Sequence, residues 1–303
     1  MNWWHWHTEP ELIGGLLLLA WLYAIATGPL RPSLAPGKPY PRREAACFYS
    51  GLALLYLSVG SPLDLLGEVY LFSAHMLQHI LVIYPVGILL VTGIPGWLAD
   101  IALKPAALRA TVAFLSRPPV AGLLFTFVLT AWHVPALYDW ALRDRLVHNI
   151  EHLTMLLAAL CVWWAVFNKS ARTPAAGYGT RILLVFCIAI AKVPVAAYLT
   201  FAPDVLYPTY ELAPRIFGLS AMEDQILGGA IMTLLAKFGS VFLMAWFFYR
   251  WYRSTERPED FRYSIESLAP GAKAPRDESL PADRSGVTRP GGRSTVRSPS
   301  PNR

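Results

Sequence analysis

Residues 69–93 read VYLFSAHMLQHILVIYPVGILLVTG, an apolar run of twenty-five positions with no Asp, Glu, Lys or Arg. A helix rises about 1.5 Å per residue and the hydrocarbon core of a bilayer is about 30 Å thick, so this run is long enough to cross. Comparable runs lie on either side, at 11–28, 44–60, 119–136, 147–167, 181–203 and 224–250. The seven together predict an all-α polytopic membrane protein, a seven-transmembrane-helix bundle. Composition agrees, because 55% of the 303 residues are hydrophobic and only 15% are charged, whereas a soluble domain carries about a quarter of its residues as charges. An ordinary water-soluble enzyme is excluded on that ground. The first run reads as a retained helix, because no Lys or Arg precedes Arg31 and a signal peptide needs a basic leader.

Basic residues orient the bundle. Arg31, Lys38, Arg42 and Arg43 join the first two spans; Lys104, Arg109 and Arg117 join the third and fourth; Lys169, Arg172 and Arg181 lie between the fifth and sixth; Arg250 and Arg253 end the seventh. By the positive-inside rule these face the cytoplasm, with the N-terminus outside and the C-terminus inside. Arg143 and Arg145 are the exception, each beside an acid, Asp139 or Asp144. The formal charge of +6 therefore reads as a topology signal, and nucleic acid is not an expected partner. Residues 1–253 form the expected membrane domain. Residues 254–303, rich in Pro, Gly, Ser and Arg, are expected to be a disordered basic cytoplasmic tail. Cys47, Cys161 and Cys187 lie in apolar runs without CxxC spacing and read as packing residues.

The seven histidines are all placed on the outer side by this topology. His75 and His79 lie in the third span, His133 ends the fourth, His148 and His152 open the fifth, and His5 and His7 sit in the N-terminal segment MNWWHWH. Residues four apart share a helix face, so His75/His79 and His148/His152 form two imidazole pairs able to point into the bundle. Ionisable residues in a span are costly and face the interior or a cavity. Histidines at one depth on three successive helices therefore predict a metal or redox site.

The neighbours Met76, Gln78, Met155 and Met232 add thioether and amide groups, which favours copper, Cu(I) in particular. Glu151 and Asp224 are candidate acceptors behind the imidazoles, or a carboxylate ligand of a zinc site. Haem b between paired helical histidines is the alternative cofactor. His5 and His7 could catch an ion before handing it inward, although Trp3, Trp4 and Trp6 also read as an interfacial anchor. Lys192 and Lys237 lie mid-span without an acid at their depth, and Pro85, Pro135 and Pro194 predict kinks. No nucleophilic triad, phosphate loop or carboxylate pair is visible, so the chain is not expected to be an enzyme.

Four segments, AHMLQH (74–79), WHVPALYDWAL (132–142), HNIEHLTMLLAAL (148–160) and DQILGGAIM (224–232), together resemble the CtaG-type cytochrome c oxidase assembly factors. These are seven-helix bacterial membrane proteins associated with building haem-copper oxidases of the caa3 kind. The resemblance implies copper delivery to, or maturation of, the oxidase, in the bacterial plasma (inner) membrane, with oxidase subunits and the lipid bilayer as partners. It also implies that His75, Met76, His79, His133, His148 and His152 form the metal site, with Asp224, Gln225 and Met232 in the fourth motif. Gly228 and Gly229 offer a small-residue surface for helix packing, within the monomer or against another chain, and association into a homo-oligomer stays open.

Overall fold

The computed structural model describes residues 6–255; His5 and the expected tail from 256 onward lie outside the described residues. Among these, every regular element is helical. The principal helices are α1 (Pro10–Thr27), α2 (Arg42–Val59), α3 (Phe72–Thr92), α4 (Pro118–Trp132), α5 (Pro135–Arg143), α6 (Arg145–Phe167), α7 (Tyr178–Ala191), α8 (Val193–Phe201) and α9 (Ala221–Thr255). Six helices or helix pairs are long and apolar enough to cross a membrane, or seven if a bent pair counts as one span.

That pair is the fourth expected span, and the structure revises it. At fifteen residues, α4 reaches about 22 Å, short of the hydrocarbon thickness. It meets the preceding helix Ala106–Leu115 at 73°. The expected run 119–136 is also cut at its other end, where α4 stops at Trp132 and Pro135 starts α5. Proline has no N–H and restrains the residue before it to extended backbone, and Val134 is extended (ψ 126°). The chain therefore turns at His133, where a kinked continuous helix was expected.

The other prolines act within spans. At Pro85 the ladder of α3 widens to a π turn over Val82–Val86, and the Trp163 indole donates to the Ile83 carbonyl at 2.6 Å. The sixth span breaks at Lys192, between α7 and α8, with Pro194 in the first turn of α8. Lys192 is buried at this break and donates to the Tyr84 hydroxyl, which also meets Ser240 Oγ at 3.3 Å. Lys237 is exposed on α9, where its long stem can carry the ammonium toward the membrane surface. Ser254 and Thr255, placed in the expected tail, complete α9.

Burial identifies the central element. Two-thirds of α3 (67%) lies inside the bundle, against 11% of α1. Around α3 pack α2, α6 and α9, while α4 lies on α6, and α7 and α8 lie on α9. Close approach depends on missing side chains. A Cβ on Gly93 would lie 2.6 Å from the Phe48 backbone nitrogen, so α2 and α3 touch backbone to backbone there. A Cβ on Gly228 would strike the Phe72 ring, and one on Gly229 the Thr200 hydroxyl. Both glycines of the fourth motif are thus used inside the bundle.

Candidate metal centre

All the described histidines gather at one end of the bundle. His75 and His79 occupy the first two turns of α3, His133 caps the end of α4, and His148 and His152 occupy the first two turns of α6. The chain runs away from this end along α3, returns along α4 and leaves again along α6, which is how three segments distant in sequence meet. The ends are fixed by specific caps. Asp144 accepts from Leu146 N (2.9 Å) and Val147 N (3.2 Å) to start α6. Leu71, before α3, offers no capping side chain; instead Asp224 reaches across from α9 and accepts from Phe72 N at 2.7 Å and Ser73 N at 3.2 Å.

The i,i+4 pairs converge as their spacing predicts. His75 Nε2 and His79 Nε2 are 2.8 Å apart, and His148 Nε2 and His152 Nε2 are 2.6 Å apart. Across the helices, His75 stacks on His148 and His152 with ring centroids at 5.3 and 5.4 Å, and His79 lies 5.1 Å from His152 and 5.9 Å from His133. Glu151 faces the first pair, with oxygens 3.7 Å from His75 Nε2 and 3.5 Å from His79 Nε2. Donor atoms of His75, His79 and His152 lie within 4.8 Å of one another, as do those of His75, His148 and Glu151. Nitrogen donors about 2.0–2.1 Å from a tetrahedral ion sit about 3.3 Å apart, so these separations are of the scale at which one ion collects several rings.

Several of these atoms are buried with no hydrogen-bond partner among the described residues: His79 Nδ1, His133 Nε2, His152 Nδ1 and both oxygens of Glu151. Others are oriented from behind. His133 Nδ1 meets the Leu129 carbonyl at 2.6 Å, His148 Nδ1 meets Glu68 at 2.7 Å, and the Tyr210 hydroxyl, which donates to the Gly67 carbonyl, lies 3.4 Å from His75 Nδ1. Burial pushes the Tyr210 and Tyr207 phenols well above their ordinary range, so both remain hydroxyl donors; Tyr207 donates to the His133 carbonyl at 3.1 Å. These contacts on Nδ1 of His75, His133 and His148 fix the three rings and leave Nε2 of each directed inward.

The remaining sequence candidates have other contacts. Met76 is buried in the apolar core, its Cγ 3.2 Å from where a Gly228 Cβ would stand, and Met232 and Met155 lie in the same core. Gln78 donates to the Ser58 carbonyl (2.9 Å) and to Asp64 (2.6 Å). Gln225 accepts from Leu206 N (2.7 Å) and donates to the Leu199 carbonyl (3.1 Å), fixing the loop that carries Tyr207 and Tyr210. Asp224 holds α3 in place, as described. The sequence does not single out Asp64, Glu68, Tyr210 or Tyr138, whose ring lies 5.1 Å from that of His75 and whose hydroxyl meets that of Tyr210 at 3.2 Å.

Residues 21–254 match the cytochrome c oxidase caa3 assembly factor family. Similar curated proteins from Mycobacterium bovis and Mycobacterium tuberculosis, each described as uncharacterized, are 25% identical over 268 residues, which is 82% of this chain and 39% of theirs. The chain thus spans about two fifths of the length of the curated relatives it matches. No solved structure matches. The family match takes in α2 to α9 and every helix that brings a histidine to the cluster, and on it the chain belongs to the cytochrome c oxidase caa3 assembly factor (CtaG) family.

Proposed function

We propose that this chain serves oxidase assembly by holding a copper ion, as Cu(I), at the imidazole cluster on the outer side of the plasma membrane and releasing it to a cytochrome c oxidase subunit. His75, His79, His133, His148 and His152 would hold the ion, with Glu151 beside them. The ion is cargo, and the chain performs no covalent chemistry. The observation that carries the proposal is the set of buried imidazole and carboxylate atoms left without partners among the described residues. Leaving such groups unpaired costs about 1–3 kcal/mol each, and an ion ligated within the cluster would offset part of that cost.

Each Nε2···Nε2 contact holds one N–H between the two nitrogens; for both nitrogens to ligate an ion that proton would move to the Nδ1 of its own ring, so loading goes with a change of imidazole tautomer. Imidazole donors without thiolate allow ligand exchange, which delivery requires. A b-type haem needs two axial rings on opposite faces of a flat macrocycle; here the rings are packed against one another at 4.4–5.9 Å between centroids, which favours an ion. Copper analysis of protein loaded under reducing conditions is the test. Wild type should retain copper that the H75A/H79A/H148A/H152A variant loses. Equal retention overturns the proposal, as does a co-purifying Soret band that disappears on His79 or His152 substitution.

A further inference from the structure

A cavity of about 490 Å³ lies beside the cluster, with Glu9, Asp64, Glu68, Arg145, His148 and His152 in its wall. The N-terminal strap before α1 closes over this region. His7 N donates to the Gly60 carbonyl at 2.9 Å, the Tyr56 hydroxyl donates to the His7 carbonyl at 3.2 Å, and Trp6 stacks on Tyr56. Arg145 pairs with Glu9 at 2.7 Å. The strap brings the His7 ring, itself buried, to Asp64: Nε2 is 3.1 Å from Asp64 Oδ2 and Nδ1 is 2.9 Å from Glu9. Gln78, from inside α3, donates to the other oxygen of Asp64 and so orients the carboxylate.

Donor atoms of His7, Asp64 and Glu68 lie within 4.8 Å of one another, and those of Asp64, His148 and His152 do so as well. Asp64 belongs to both sets, and Glu68 touches His148. The donors therefore continue from the strap to the imidazole cluster in steps no longer than the spacing within a single metal site. The wall of the cavity also carries two buried atoms with no hydrogen-bond partner among the described residues, Glu9 Oε2 and His152 Nδ1.

We infer that His7, Asp64 and Glu68 form a second cation site, a vestibule from which an ion passes by ligand exchange through Asp64, His148 and His152 to the inner cluster. Two carboxylates and one imidazole suit a divalent first-row ion such as Cu(II) or Zn(II) better than Cu(I). The vestibule's place on a route inward rests on the copper-cluster proposal; its capacity to bind does not.

Zn(II), which has no redox chemistry, is the probe, titrated against a chromophoric chelator into the full chain in detergent. Wild type should hold one ion more than H7Q/E68Q and one more than H75A/H79A. H7Q alone, a change in the strap outside the bundle, should weaken the vestibule ion about 10- to 100-fold and leaves the helices intact if the wider substitution does not fold. If H7Q/E68Q and H7Q bind as wild type does, the vestibule site is refuted and the inner cluster is untouched. If an ion is lost in H7Q/E68Q and none in H75A/H79A, the vestibule stands without an inner Zn(II) site, and the copper cluster is decided by its own retention test.

Discussion

Replacing Asp224 with Ala removes a contact that joins the last helix to the start of the histidine helix, 152 residues earlier in the chain. The carboxylate accepts from Phe72 N and Ser73 N, two of the N–H groups that every helix start leaves unpaired. It is 1% exposed, so water does not substitute for it. Hydrogen bonds to a charged group contribute about 1.5–3 kcal/mol each. Two of them set an upper limit of about 6 kcal/mol, and allowing for relaxation D224A should lose about 3–5 kcal/mol. D224N keeps one acceptor oxygen and should lose about half as much. SDS titration in mixed micelles, followed by tryptophan fluorescence, measures both. Copper retention should fall alongside stability, because the same cap fixes the turn that carries His75. A D224A unfolding curve within about 0.5 kcal/mol of wild type would show that the cap does not hold α3.

G93A places a methyl group 2.6–2.7 Å from the Phe48 backbone, which cannot give way without separating α2 from α3 and loosening the Tyr23 hydroxyl from the Gly93 carbonyl. Thermal unfolding should show a loss of about 1–3 kcal/mol. Y210F removes the hydroxyl behind His75 and should weaken copper binding about 10-fold or more in competition with a Cu(I) chelator, while Y198F, on an exposed tyrosine of α8, should not. The His7 imidazole is raised from 6.5 to about 9 by its hydrogen bond to Asp64, joined by that to Glu9, against the opposing effect of burial; Arg145 faces the same pair from α6. A raised imidazole contributes stability in full below pH 6.5 and loses it as pH climbs through about 9. Hydrogen-exchange protection in the strap, taken relative to the intrinsic rate at each pH, should therefore fall across that interval in wild type and stay flat in H7Q; a strap equally protected at pH 7 and pH 10 in wild type contradicts the ion pairs.

The membrane-crossing helices and the convergence of two histidine pairs were legible because both are periodic. Long apolar runs must cross, and i,i+4 polar residues on such a run must turn inward. The fourth span was overextended because hydropathy continues through Val134 and Pro135, whereas the backbone obeys proline. Met76 looked like a ligand by adjacency in sequence, but adjacent residues on a helix point about 100° apart, and its face meets Gly228. Asp64 and Glu68 lie between apolar runs, with nothing in the sequence to set them beside a histidine. Their approach to His7 and His148 depends on the short helical turns Pro62–Leu65 and Leu66–Tyr70 folding back against α6, which no spacing rule reveals. The reach of Asp224 to α3 is likewise a tertiary fact, although the polar DQ pair opening an apolar run marked the place.

X-ray absorption on Cu(I)-loaded protein tests the central claim most directly. Imidazoles from α3, the end of α4 and α6 as the ligands predict a first shell of nitrogen with the outer-ring scattering of histidine and no sulfur, since the methionines of this region pack in the apolar core. A sulfur shell at about 2.3 Å, or a nitrogen shell unchanged in H75A/H79A, would contradict it.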